Sequence, residues 1–188
     1  MIFKRGFRGE NARRITEEGL GIGLYTAKKF VRSIMGLYMQ KSKPMLSVKT
    51  LAELMLSFSS MSNKKLQKIC YYMYAWYLTI YNKKIAPIEF EAWVHGPVSR
   101  ELYNYYKSYG WNDIPQHYGF ILADNDTIAF AQKIWDMYGG YTADELEART
   151  HQEFPWTQAR KGYKSYEPSE VHLKDDDIKK YFSTLKLP

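Results

Sequence analysis

Two histidines of this chain stand close to carboxylates: His95 follows Glu91 by four residues, and His151 precedes Glu153 by two. An imidazole beside a carboxylate can serve as a general base, but only with a nucleophile or substrate in hydrogen-bond reach. No serine or cysteine sits in a recognisable nucleophile context, so both histidines read as structural, with His95 orienting the Gly96-Pro97 turn beside it. The single cysteine, Cys70, cannot close an internal disulfide. No Cys or His spacing suits a metal, so Cys70 reads as a small buried apolar side chain. A third candidate chemistry lies in "GLGIGLYTAKKFV", where Gly19, Gly21 and Gly23 precede a helical pattern over residues 22–35. Glycines let backbone N–H groups approach a phosphate, and a helix N-terminus favours the anion.

The densest cluster of side chains is "NKKLQKICYYMYAWYLTIYNKK", residues 63–84. Leu66, Ile69, Met73, Trp76 and Ile80 follow helical spacing, and Cys70, Tyr74, Tyr77 and Tyr81 form an adjacent stripe. The spacing predicts a helix apolar over most of its girth. Its apolar part, Ile69 to Tyr81, is shorter than the roughly 18 to 20 residues a membrane span needs. It therefore reads as a core helix whose tyrosine hydroxyls find polar partners at its edge. Base stacking on Tyr71, Tyr72 or Tyr74 would need a basic groove alongside. Lys64, Lys65, Lys68, Lys83 and Lys84 read instead as solvated caps.

Helical signals surround this segment. Ser47 can cap a helix whose Leu51, Leu54, Met55 and Phe58 share a face. Ile88, Phe90 and Ala92 alternate with Glu89, Glu91 and Trp93, as in a short half-buried strand. Gly96 ends that strand, and Pro97 then suits the first turn of a helix carrying Val98, Leu102, Tyr105 and Tyr109, stopped by Gly110. Another helix enters through Asp124 or Asp126 and closes at Gly139 and Gly140; Thr142 and Glu145 spell a capping box for the next. Pro155 can start a short helix. Asp175 to Asp177 load the N-terminal end of a last one, with Ile178, Tyr181, Phe182 and Leu185 on its buried face.

The expected fold is mainly α: a compact multi-helix domain with a short β element, preceded by a loop–helix N-terminal appendage. The domains are drawn as 1–36 for the appendage, 37–47 for a linker marked by Pro44 and two serines, and 48–188 for the main domain. Of 188 residues, 45% are hydrophobic and 25% charged, enough apolar surface for a folded globule. Neither a membrane span nor a secretory h-region is evident, so a cytoplasmic protein is expected. The net charge of +7 is lopsided, since residues 1–35 hold eight Lys/Arg against three Asp/Glu. The near balance elsewhere makes nucleic acid an unlikely partner for the main domain and confines that reading to the arm, through Arg5, Arg8, Arg13 and Arg14.

Three stretches together carry a family resemblance: "KLQKICYYMYAWYL" (65–78), "IEFEAWVHGPVSRELYNYYKSYG" (88–110) and "ELEARTHQEFPWTQARKG" (145–162). In order and spacing they resemble the Panacea domain of SocA-like and phage-associated GepA antitoxins, over residues 48–188. The resemblance implies a non-enzymatic partner of a protein toxin encoded in the same operon. It implies neutralisation by direct binding, with delivery of the toxin to a protease as an alternative role. Trp76, Trp93, Gly96, Pro97 and Trp156 fall in the matching motifs and read as shared core packing. Toxin contact is then expected on exposed residues such as Arg100, Tyr103, Tyr106 and Lys107. Residues 1–36 resemble the lid and second glycine box of histidine-kinase ATPase domains, without the upstream magnesium box or adenine-reading aspartate. This is read as a vestige, a fusion relic or a start-site artefact, with Met39 and Met45 as alternative starts. Two rival functions follow from the appendage: a nucleic-acid-binding regulator using the basic arm, and an ATP-using enzyme.

Overall fold

A computed structural model describes residues 45–185. The glycine box, the basic arm and the helix expected over 22–35 lie outside those residues.

Ser47 opens the first helix, α1 (Val48–Leu56), its hydroxyl accepting a bond from the Thr50 N–H. This satisfies one of the donors that every helix start leaves without an internal partner. Ser62 does the same for α2 (Asn63–Tyr81), which ends at Asn82 in the left-handed conformation. Between them lies β1 (Met61–Ser62), which pairs antiparallel with β4 (Asp113–Ile114). The hairpin β2 (Glu91–Trp93) and β3 (Gly96–Val98) follows α2. Then come α3 (Arg100–Tyr106), a short 3-10 turn (Lys107–Tyr109), α4 (Asn125–Tyr138), α5 (Ala143–Thr150), α6 (Phe154–Ala159) and α7 (Asp175–Phe182). The fold is mainly α, with two small two-stranded sheets.

Helix α2 is the spine. It packs against α1, α3, α4, α5, α7 and β3, and Leu66, Ile69, Cys70, Tyr71, Tyr72, Met73 and Trp76 are all buried. A helix contacted on so many sides must be apolar around its circumference, which is why its sequence lacks a single narrow stripe. Phe182 of α7 plugs its middle, with ring centroids 5.2 Å from Trp76, 6.1 Å from Tyr71 and 6.2 Å from Tyr72 in edge-on arrangements. Those geometries suit the ring quadrupoles. Among the described residues, no helix is long and apolar enough to cross a membrane.

Asp124 caps α4 and Gly139 closes it. The Thr142–Glu145 capping box forms at α5, and Pro155 lies in the first turn of α6. Other expectations need correction. Gly96 and Pro97 do not start a helix: they are strand residues, Pro97 opposite Ala92, and α3 begins only at Arg100. The turn between β2 and β3 needs Gly96 at φ +94°, and this puts Pro97 and Val98 back alongside β2. Consequently Val98 is not on the helix face, and Tyr105 and Tyr109 are exposed, while Tyr106 packs partly against the core. Ile80, in the last turn of α2, is exposed too. The alternation expected over 88–93 breaks at Glu91, which is buried, because residues 171–173 pair with the other edge of β2 through Ala92 N–H to Val171 O and Leu173 N–H to Phe90 O.

Candidate functional site

The three motif stretches meet where the β2–β3 hairpin lies over the N-terminal half of α2 and the end of α5. Gln67 fastens the hairpin's exit. The Ser99 N–H donates to Gln67 Oε1 at 2.8 Å, and Gln67 Nε2 donates to Ser99 O at 3.3 Å. One turn along, Lys68 points under the hairpin and donates from Nζ to Pro97 O at 3.0 Å. Lys68 is only 1% exposed; it is not the solvated cap that its charge suggests. Burial pushes its pKa down to about 7, against an opposing pull from Glu147. Gly96 is tightly enclosed here, since a Cβ would sit 2.7 Å from Lys68 Cε and 2.7 Å from Thr150 Oγ1.

Glu147, on α5, gathers the neighbouring basic side chains. Lys64 pairs with it and with Asp144, His95 Nδ1 lies 3.1 Å from its Oε1, and His151 Nε2 lies 3.9 Å from the same oxygen. Burial favours protonation of Glu147, but the bonds from Lys64 and His95 outweigh it and hold the pKa below the usual carboxylate range. His151 stacks on Trp156 with centroids 4.1 Å apart and an interplanar angle of 17°. Burial, the largest influence on it, lowers its pKa.

Trp156 Nε1 donates to Trp93 O at 3.0 Å, tying α6 to the hairpin. Arg160 completes the tie from the buried side: it donates to Ala92 O at 2.9 Å and to Lys164 O and Glu167 O at 2.7 Å each. Deeper in, Tyr72 donates to Glu153 Oε1 at 2.8 Å while stacking on Tyr138 at 3.9 Å. The Tyr71 hydroxyl faces the same carboxylate without reaching hydrogen-bond geometry. Burial pushes Glu153 up to about 7. Trp76 Nε1 donates to Tyr138 Oη at 2.9 Å.

On the outer side of the hairpin, Arg100 makes a two-pronged bond to Glu91, Nε to Oε1 at 2.9 Å and a terminal nitrogen to Oε2 at 2.7 Å, and pairs with Glu170 at 2.8 Å. Trp93 Nε1 donates to Glu91 Oε2 at 2.7 Å. Burial alone would raise the Glu91 pKa, but Arg100 and Trp93 bring it below normal. Trp93 is half-buried and is not enclosed in the core. Its indole forms one wall of a cleft of about 560 Å³ that Arg100, His95, Tyr166 and Pro168 also line.

The structure thus brings together Trp93, Gly96, Pro97 and Trp156 at one junction and Trp76 in the core beside it, while Tyr103 and Lys107 lie exposed on α3 and just beyond. Chemically, the junction is a lock. Lys68, Gln67, Trp156 and Arg160 are spent on backbone oxygens of the hairpin, and the Thr150 hydroxyl on Glu147 O at 2.8 Å. Among the described residues, no group of His, Cys, Asp or Glu could hold a metal. The sequence reading missed Lys68, Gln67 and Glu147. The available signal was a lysine one turn inside an otherwise apolar run, between Leu66 and Ile69.

Residues 66–157 match the family described as antitoxin SocA-like, Panacea domain. No curated protein and no solved structure matches the chain. The match begins at Leu66 on α2 and ends at Thr157, just past Trp156, so it takes in Gln67, Lys68, the hairpin and Trp156 and stops short of Arg160. Residues 66–157, the larger part of the described fold, are therefore similar to a SocA-like Panacea domain.

Proposed function

We propose that this chain is an antitoxin that neutralises a protein toxin encoded beside it, by covering the toxin's working surface without chemistry of its own. The Panacea match over residues 66–157 carries this reading. The junction's polar groups support it, since they bond to the chain's own backbone under a hairpin that seals Lys68 from solvent. Such a built-in scaffold suits recognition by a preformed surface, which keeps the ordering cost of binding low. Tyr103 and Lys107 are offered to that surface together with Arg100, whose guanidinium is pre-positioned by Glu91 and Glu170. Tyr106, half-buried against the core, contributes at most its edge. On this reading the folded domain spans 48–188, the protein works in the cytoplasm, and residues 1–36 are a separate appendage. Delivery of the toxin to a protease would use the same first contact.

The test is co-expression. Growth arrested by the product of the neighbouring gene should resume when this chain is produced with it. Continued arrest with both proteins soluble and abundant would sink the proposal.

A further inference from the structure

Arg160, at the end of α6, is only 5% exposed, and among the described residues no Asp or Glu forms an ion pair with it. A buried guanidinium without a carboxylate is costly unless its donors are met in another way. Here backbone oxygens meet them, and these oxygens belong to two different segments. One terminal nitrogen donates to Ala92 O of β2 at 2.9 Å. The other donates to Lys164 O and Glu167 O at 2.7 Å each, with Ser165 O at 3.4 Å. The guanidinium carbon also lies over the rings of Trp156 and Tyr163, 5.2 and 5.8 Å from their centroids, where the ring quadrupoles favour a cation.

Residues 161–170 form a strap with little else to hold it. The strap contains neither helix nor strand, and every residue from 161 to 168 is exposed, so burial of apolar surface adds little to its order. Gly162, at φ +94°, turns the chain back after α6. Tyr163 N–H to Arg160 O and Glu167 N–H to Lys164 O then close local turns. Across to α3 the strap is tied by Glu170 to Arg100, between side chains 79% and 48% exposed, a pairing that solvent weakens. Yet this strap lines the cleft of about 560 Å³: Tyr166, Pro168 and Glu170 come from it, Trp93 and His95 from the hairpin, and Arg100 from α3. Arg160 therefore spans both walls, one nitrogen to each. A guanidinium is planar with its two terminal nitrogens at a fixed separation, whereas an ammonium offers its donors at a single point.

We propose that Arg160 is the positioning residue of this cleft: its fork, one nitrogen on the hairpin and the other on the strap, orders residues 161–170 and fixes the spacing of the two walls. The full chain alone provides the test, by hydrogen exchange resolved to the strap and to α2. In Arg160→Lys and in Arg160→Ala the bonded amides of the strap, Tyr163 and Glu167, should exchange at least about tenfold faster, the loss expected when bonds from a charged donor go. Those of α2 should keep their wild-type protection, and trypsin should cut faster after Lys164. In Arg160→Ala, guanidinium chloride at millimolar concentration, far below the denaturing range, should restore the strap's protection saturably. Urea, of similar shape but uncharged, should not. A strap as well protected in Arg160→Lys as in wild type would overturn the proposal, because a point charge would then serve as well as the fork. So would a strap in Arg160→Ala that guanidinium leaves loose or that urea tightens equally. Exchange that rises in α2 as much as in the strap would make Arg160 a general core residue and overturn it as well.

Discussion

Lys68 places an ionisable amine where water cannot reach it, and the consequence is a stability that depends on pH. Its folded pKa, about 7, lies well below that of an unfolded lysine, near 10.4. Between those values the unfolded chain binds more protons, so this group's contribution to stability rises as pH rises through the window. Below pH 7 the burial penalty is present in full. Glu153 runs the other way: its folded pKa is raised to about 7, so the folded state keeps a proton the unfolded chain has lost, and stability falls from about pH 4.5 to pH 7. Denaturant titrations should therefore show wild type gaining on Lys68→Met between pH 7 and pH 9.5, and losing to Glu153→Gln between pH 5 and pH 7. Differences that stay flat across both windows would mean that neither group is buried as described. Single residues also show how far sequence carries. Cys70 was legible as a buried apolar side chain, and so it is. Lys68 was not, because lysine in a helix is ordinarily solvated and only the hairpin folding over it makes it otherwise.

At the scale of elements, local chemistry decided the helix starts. Ser47, Asp124 and the Thr142–Glu145 pair each bond to N–H groups two or three residues on, an interaction that needs no distant partner and is readable from spacing alone. The Gly96-Pro97 turn was misread because a glycine and a proline satisfy either a helix start or a tight hairpin. The choice fell to Lys68 and Gln67 of α2, which supply a donor for Pro97 O and both bonds for Ser99. Burial of α7 likewise depends on another element. Phe182 is its plug into the aromatic middle of α2, fully buried against Tyr71, Tyr72 and Trp76. Phe182→Ala should lower stability by about 3–5 kcal/mol. In urea the midpoint should drop with the slope unchanged. A loss under about 1 kcal/mol would show that α7 is an appendage to the core and not part of it.

At the scale of the whole described domain, one spine helix packed against five of the six other helices implies that these helices cannot come apart singly. Trp76, Trp135 and Trp156 report on three sides of this core and Trp111 only on solvent. Unfolding followed by tryptophan fluorescence and by far-UV dichroism should give coincident transitions, as a cooperative domain of this size does. Transitions separated by more than their widths would contradict a single core. The family match runs from Leu66 on the spine through the hairpin to Thr157, so the similarity belongs to this assembled core and to no single element.

The sequence by itself determined the helical class, the central aromatic helix and the caps at Ser47, Asp124 and Thr142, because each depends on periodicity or on bonds spanning a few residues. Only the tertiary structure decided that Lys68 and Glu91 are enclosed, that Trp93 stands half in solvent, and that Trp111, Tyr118, Phe120 and Leu122 face outward. Those facts depend on which distant surface closes over a side chain, and an apolar residue reads the same in sequence whether another part of the chain covers it or water does.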